Sequence, residues 1–158
     1  MNGTGFRIAP AESPADLGQA RILFREYIES LKVDLSFQDV ERELASLPGK
    51  YAAPQGIILL ARRAGAALGC GALRPLAAGI CEMKRLYVRR EARGEQLGRL
   101  IAEALLAHAR IAGYERVRLD TLASMERAQA LYASLGFQTI APYTENPLPG
   151  TRFLERVL

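Results

Sequence analysis

Apolar and polar positions alternate along the chain in blocks, and each block predicts one element. Residues 6–9 predict a short first strand. Ser13-Pro14-Ala15-Asp16 follows, with an N-cap serine, a proline at the first helical position and an acid in the first turn. Each of these favours a helix start. Leu17, Ala20, Phe24, Tyr27, Ile28 and Leu31 then recur at helical spacing and predict one amphipathic helix. Ser36-Phe37-Gln38-Asp39 repeats the cap logic and predicts a second, shorter helix ending before Pro48-Gly49.

From Gly56 the period changes. The apolar run at 57–62 predicts a buried strand, and turns around Gly65 and around 77–79 lead into strands at 68–73 and 80–88. Strands joined by such short loops pair antiparallel. Leu97, Leu100, Ile101, Ala104, Leu105 and His108 predict a long amphipathic helix closed by Gly113. A strand at 116–120 comes next, then a helix marked by Met125, Ala128, Leu131, Tyr132 and Leu135 and closed by Gly136. Strands at 137–140 and 152–158 flank a proline-rich loop, 142–149. The order β-α-α-β-β-β-α-β-α-β-β predicts an α+β domain, a mixed sheet with helices on its faces.

With 158 residues, this order fits a single domain spanning 1–158. A chain of this length buries roughly 68–70% of its unfolded surface and needs no disulfide or metal to hold it. The longest strongly apolar stretch, 56–61, is far short of the ~20 residues of a membrane helix, and the first 18 residues carry no apolar run of a secretory signal. Two cysteines without a CxxC, and one histidine, give no structural zinc site and no metal call. The expectation is a reduced cytoplasmic protein.

Charge adds a sharper clue. Arginine supplies 18 of the 21 basic residues, and Lys84, Arg85, Arg89, Arg90, Arg93 and Arg99 crowd into one window whose only acids are Glu91 and Glu95. Residues 12–43 instead hold eight acids against four bases. One concentrated basic segment suits a compact polyanion better than a long duplex, and the acidic first half argues against nucleic acid. The bland alternative is that both windows are solvated faces. The basic segment also reads as a strand entering a glycine-containing turn, Arg93-Gly94-Glu95-Gln96-Leu97-Gly98-Arg99, that opens a helix. A helix start leaves backbone N–H groups without partners at the positive end of the dipole, a ready phosphate site. Gly94 and Gly98 remove Cβ atoms where a phosphate would approach, and Arg93 and Arg99 add charge. The pattern is neither a P-loop nor a dinucleotide fingerprint.

This segment resembles the GNAT superfamily of N-acetyltransferases, whose Q/R-x-x-G-x-G/A turn lies between the fourth strand and the third helix. Arg93 and Gly98 match that turn, while Gln96 stands in place of its first glycine. A second match, Ala128-Gln129-Ala130-Leu131-Tyr132-Ala133-Ser134-Leu135-Gly136-Phe137, is similar to the family's A-x-x-L-Y-x-x-x-G-F segment. The resemblance covers nearly the whole chain. It implies a GNAT-like, mostly antiparallel sheet of about seven strands with four helices on its faces. It further implies acetyl-CoA as co-substrate, without a metal, held between splayed fourth and fifth strands. Main-chain groups of Leu86, Tyr87 and Val88 would hold the pantetheine arm, and Arg93, Gly94, Glu95, Gln96, Leu97, Gly98 and Arg99 the pyrophosphate.

The same resemblance implies catalytic roles. Transfer to an amine needs a proton acceptor and a proton for the departing thiolate. Glu82 is the candidate base, on the strand face it is expected to share with Lys84, Leu86 and Val88; its alternative is a surface ion pair. Tyr132 is the candidate acid, against a packed core tyrosine. The Val88 N–H is the candidate oxyanion donor, and Arg89 and Arg90 are candidate phosphate partners or exposed arginines. Met125 takes a position where many relatives have an asparagine touching the pantetheine arm. His108, Cys70 and Cys81 read as packing residues, and Asp120 and Thr121 end a strand near the active edge without an assigned role. The first two helices and the 142–149 loop, with Tyr143 and Asn146, are expected to shape the acceptor pocket. The acidic balance of 12–43 points to a cationic acceptor, a small-molecule or peptide amine. A homodimer is compatible with this reading. A non-catalytic acyl-CoA-binding module and a basic nucleic-acid-binding protein are the competing classes.

Overall fold

The computed structural model describes residues 5–158; Met1 to Thr4, which begin the segment read as lacking a signal, lie outside the described residues. The chain runs β1 (Arg7–Pro10), α1 (Pro14–Leu31), α2 (Val40–Ala45), β2 (Ile57–Arg63), β3 (Ala66–Ala77), β4 (Ile80–Val88), α3 (Leu97–Ile111), β5 (Arg116–Thr121), α4 (Glu126–Ser134), β6 (Gln138–Ile140) and β7 (Arg152–Val157). One seven-stranded sheet has the order β1-β2-β3-β4-β5-β7-β6. Its pairs are antiparallel except β4–β5, which is parallel. No helix of the described residues is long and apolar enough to cross a membrane.

Each face of the sheet has its own apolar core. Ala20, Leu23 and Phe24 of α1 and Leu44 of α2 pack on Ile58, Leu60, Cys70 and Ala72. On the other face Leu97, Ile101 and Leu105 of α3, with Tyr132 of α4, pack on Leu59, Leu73, Met83, Val117 and Leu119. The α3 contact is close because β3 carries glycine: a Cβ on Gly71 would come within 2.8 Å of Leu105 Cδ1 and 2.9 Å of Ile101 Cγ2.

The start of α1 follows its sequence. Asp16 N–H donates to Ser13 Oγ at 3.0 Å, the Ser13 N–H donates back to Asp16 Oδ2 at 3.5 Å, and Pro14 stands in the first turn. The second helix differs from expectation. Asp34 Oδ1 accepts the Ser36 N–H at 2.9 Å, residues 36–38 form a 3-10 turn, and Asp39 adopts a left-handed conformation (φ 54°). The α-helix begins only at Val40, where burial of Val40 and Leu44 one turn apart fixes it in the core.

Two irregularities of β4 build the site. Pairing to β5 stops after Glu82 opposite Arg118, so the two strands part beyond that point. Pairing to β3 then slips between Lys84 and Tyr87, with Arg85 at φ 62°. This bulge turns both Lys84 and Arg85 toward the α1–α2 side. The expectation that Glu82, Lys84, Leu86 and Val88 share one face is therefore corrected. Past the bulge the alternation inverts: Leu86 and Val88 pack on the α3 core and Tyr87 on the α1 core.

Candidate active site

Three adjoining cavities with shared lining residues flank the split between β4 and β5. A groove of about 620 Å³ is lined by Leu86, Tyr87 and Val88, by Arg93, Gly94, Gln96, Leu97, Gly98 and Arg99, and by Tyr27, Met125, Arg127, Ala128 and Leu131 from the flanking segments. Of the turn residues expected to face a pyrophosphate, all line this groove except Glu95. That side chain turns away to pair with Arg63, at 2.6 Å, and leaves only its main chain on the turn.

The turn is built as a helix start. Leu100 N–H makes its bond to the Gln96 carbonyl at 3.1 Å, so the amides of Leu97, Gly98 and Arg99 precede the first helical hydrogen bond, at the positive end of the dipole. Gln96 caps α3 in the left-handed region (φ 61°) without a side-chain cap bond. Its Cβ is thus strained, and Gly94 (φ 85°) shares the tight conformation. Gln96→Gly is expected to raise stability by up to about 1 kcal/mol and to leave acetyl-CoA affinity equal or better. Urea unfolding and calorimetry check the two halves of that statement.

The groove suits an acyl-CoA. A Cβ on Gly98 would point between β4 and α4, in ordinary contact 3.7 Å from Leu131 Cδ2 and 3.9 Å from Val88 Cγ2, and would take up part of the groove. Arg93 Nε is held by the Val88 carbonyl at 3.1 Å. Arg99 pairs with Glu103 at 2.8 Å and donates to Ser134 Oγ at 2.8 Å. Arg127, exposed on the rim, is a third cation that sequence reasoning did not single out. Arg89 is engaged elsewhere: it pairs with Glu26 of α1 and donates to the Ala67 carbonyl. Arg90 is exposed and does not line the groove.

At its inner end the groove shares Tyr27, Leu31, Leu86 and Met125 with a small cavity of about 40 Å³. Tyr132, Lys84, Asp120 and Asn146 are among the residues that line it. Tyr132 is 7% exposed and stacks edge-on against Phe137, with centroids 5.6 Å apart. Burial raises its phenol well above the ordinary range, so it stays protonated at neutral pH. The small cavity in turn shares Gln38, Lys84, Arg85 and Asp120 with an outer one of about 230 Å³, lined also by Lys50, Arg74, Glu82, Thr144 and Glu145.

Glu82 lines the outer cavity and not the one with Tyr132. Arg74 donates to its Oε1 at 2.9 Å and the Tyr143 hydroxyl to its Oε2 at 2.6 Å. Burial alone would raise this carboxyl, but the Lys84 and Arg74 cations and the two hydrogen-bond donors hold it below the ordinary range. Asp120 lines both cavities and accepts a 3.4 Å contact from Asn146 Nδ2. The 142–149 loop thus brings Tyr143 against Glu82 and Asn146 against Asp120. Cys70 and Cys81 are buried; each thiol approaches a carbonyl, and burial raises both, Cys81 to about 12. Neither is poised as a nucleophile. His108 lines a separate groove with Ile111 and Tyr114, away from Tyr132.

The fold neutralises part of the acidic window of 12–43, while Glu12, Glu29 and Asp34 stay exposed without an ion pair among the described residues. Asp16 pairs with Arg62, Glu26 with Arg89, Glu41 with Arg25 and Glu43 with Arg85. Three of these arginines belong to β2, β4 and the turn after β4, outside the acidic window.

Comparison with known proteins agrees with this geometry. The sequence model of the acetyltransferase (GNAT) family matches residues 21–137. An uncharacterized N-acetyltransferase of Schizosaccharomyces pombe is 42% identical over 156 residues, covering 98% of this chain and 96% of its own. An IAA acetyltransferase of Azospirillum brasilense is 37% identical over 109 residues, 68% of this chain and 71% of its own. An acetyltransferase structure from Streptococcus agalactiae superposes with a TM-score of 0.78 at 23% identity, covering 98% of this chain and 99% of that one. Two further structures of this fold hold acetyl-CoA or coenzyme A.

Proposed function

This chain belongs to the GNAT family of N-acetyltransferases, and from that premise we propose that it transfers acetyl from acetyl-CoA directly to an amine, with both reactants bound at once. Members of the family bind acetyl-CoA or coenzyme A as co-substrate. The observation that carries the reading is that three cavities adjoin along β4 where it parts from β5, each sharing lining residues with the next, from the α3 turn past Tyr132 to the outer cavity.

Acetyl-CoA supplies the acyl group already activated as a thioester. The amides at the start of α3, with Arg93 and Arg127, bind the pyrophosphate. Main-chain groups of Leu86, Tyr87 and Val88 align the pantetheine arm, and the Val88 N–H polarises the carbonyl. Tyr132 protonates the departing sulfur. Of the two carboxylates, Asp120 takes the amine proton, because it lines the cavity that Tyr132 lines. Glu82 stands one cavity farther out, its oxygens held by Arg74 and Tyr143, where it receives the proton through water and orders the mouth.

Calorimetry with acetyl-CoA, followed by a thiol-release screen over amines, tests the reading. Binding with thiol release on addition of an amine supports it. Binding without release in any acceptor favours the acyl-CoA-binding module, and no heat with the thioester at millimolar concentration overturns both. Amine preference checks the cationic-acceptor expectation; arginines from other elements neutralise three of the eight acids of 12–43.

A further inference from the structure

Lys84 is the one lysine of the inner site, and its surroundings do not satisfy it. The residue is 8% exposed. Its ammonium has three donors, yet it makes a single weak bond, 3.5 Å to Gln38 Oε1, an oxygen that already accepts Arg85 Nη1 at 3.0 Å. The cations beside it are spoken for: Arg74 by Glu82 and Arg85 by Glu43. Among the described residues Lys84 forms no ion pair within 4.0 Å; burial pulls its pKa down, and the Glu82 and Asp120 carboxylates, acting from farther away, only partly offset this. Burying a cation with donors unserved is costly, and an arriving anion removes that cost.

The position of Lys84 says what the anion belongs to. It lines both the small cavity, with Tyr132 and Asp120, and the outer cavity, with Lys50. A carboxylate resting on Lys84 leaves the remainder of its molecule beside Asp120, where the reacting amine must come. The outer cavity carries charges of both signs, Lys50 and Arg74 against Glu82 and Glu145, and its volume of about 230 Å³ limits the occupant to a small molecule or the end of a chain.

We infer that the acceptor is a small amino acid-type compound, with Lys84 Nζ binding its carboxylate while its amine faces Asp120. The inference rests on the proposed acetyl-transfer reading and names the substrate class for it. The reaction balance is unchanged: an N–C bond forms and the C–S bond breaks, one proton leaves nitrogen for Asp120, and one reaches sulfur from Tyr132.

The test compares matched triples in a thiol-release assay: an amino acid, its amide and its decarboxylated amine, with α-, β- and γ-amino acids represented. The expected result is at least one triple in which the acid exceeds both partners tenfold or more in kcat/KM. Lys84→Met should raise the KM for that acid at least tenfold and close the gap, Lys84→Arg should reopen part of it, and the KM for acetyl-CoA should stay constant in both variants. Amides or amines used as well as their acids in every triple overturn the inference. So does a gap that survives Lys84→Met, or acetyl-CoA binding with no release from any triple. The wild-type comparison stands even if a variant fails to fold. Thiol release confined to carboxylate-free amines sinks this inference and leaves acetyl transfer intact, whereas failure to bind acetyl-CoA in calorimetry sinks the parent reading.

Discussion

Glu43→Ala is expected to destabilise the protein by about 3–5 kcal/mol, the usual cost of stranding one partner of a buried ion pair. The Glu43 carboxylate accepts Arg85 Nε at 2.9 Å and Nη2 at 3.1 Å, and also the Tyr51 hydroxyl at 3.0 Å. The Arg85 side chain is only 3% exposed, so its charge cannot turn to water when the carboxylate is removed. A chain of this length loses roughly 2–4 °C in Tm per kcal/mol, which puts the expected fall on the order of 10 °C. Glu43→Gln keeps the shape and an acceptor oxygen and should cost less. Because Arg85 forms the bulge in β4, the folded fraction of Glu43→Ala should also turn over more slowly. Melting curves that overlay the wild type would mean that the bulge is held by something other than this pair.

Proton transfer carries the second large effect. Tyr132→Phe keeps the ring against Phe137 and removes only the hydroxyl, and Asp120→Asn keeps the shape and removes only the charge. Each is expected to lower kcat about a hundredfold, the lower end of what a positioned acid or base contributes, with little change in the KM for acetyl-CoA. Glu82→Gln should cost less, since its carboxylate is already engaged by Arg74 and Tyr143 and faces the outer cavity. Steady-state kinetics on the same acceptor decide between the carboxylates: a larger loss for Glu82→Gln than for Asp120→Asn would hand the base role to Glu82. An unchanged kcat in Tyr132→Phe would make that tyrosine a packing residue only.

Much of this architecture was legible in the sequence because it is written in local patterns. The α1 start depends on residues three apart, and the helix ends at Gly113 and Gly136 on single left-handed glycines. The turn before α3 could be found because a phosphate site needs a helix start, small residues and cations within a few positions. What escaped has its cause elsewhere in the chain. Nothing around Arg85 signals a left-handed arginine; its partner Glu43 lies 42 residues away, and that long-range pair, not a local preference, marks the bulge. The bulge then inverts the alternation on which the face of Leu86 and Val88 had been read. Counting acids along 12–43 could not show that Arg62, Arg85 and Arg89, from other elements, neutralise three of the eight. Glu95 looked like part of the phosphate turn, and only the fold brings Arg63 close enough to draw it off.

The parting of β4 from β5 has one more effect. The groove beside Val88 and the outer cavity beside Glu82 lie toward opposite ends of β4 and meet only at the narrow chamber around Tyr132. Such a passage has two doors, so a long donor filling one leaves the other open. If the thioester fills the groove as proposed, neither reactant has to wait for its companion to enter, and an acetylated product can depart while the spent carrier is still seated.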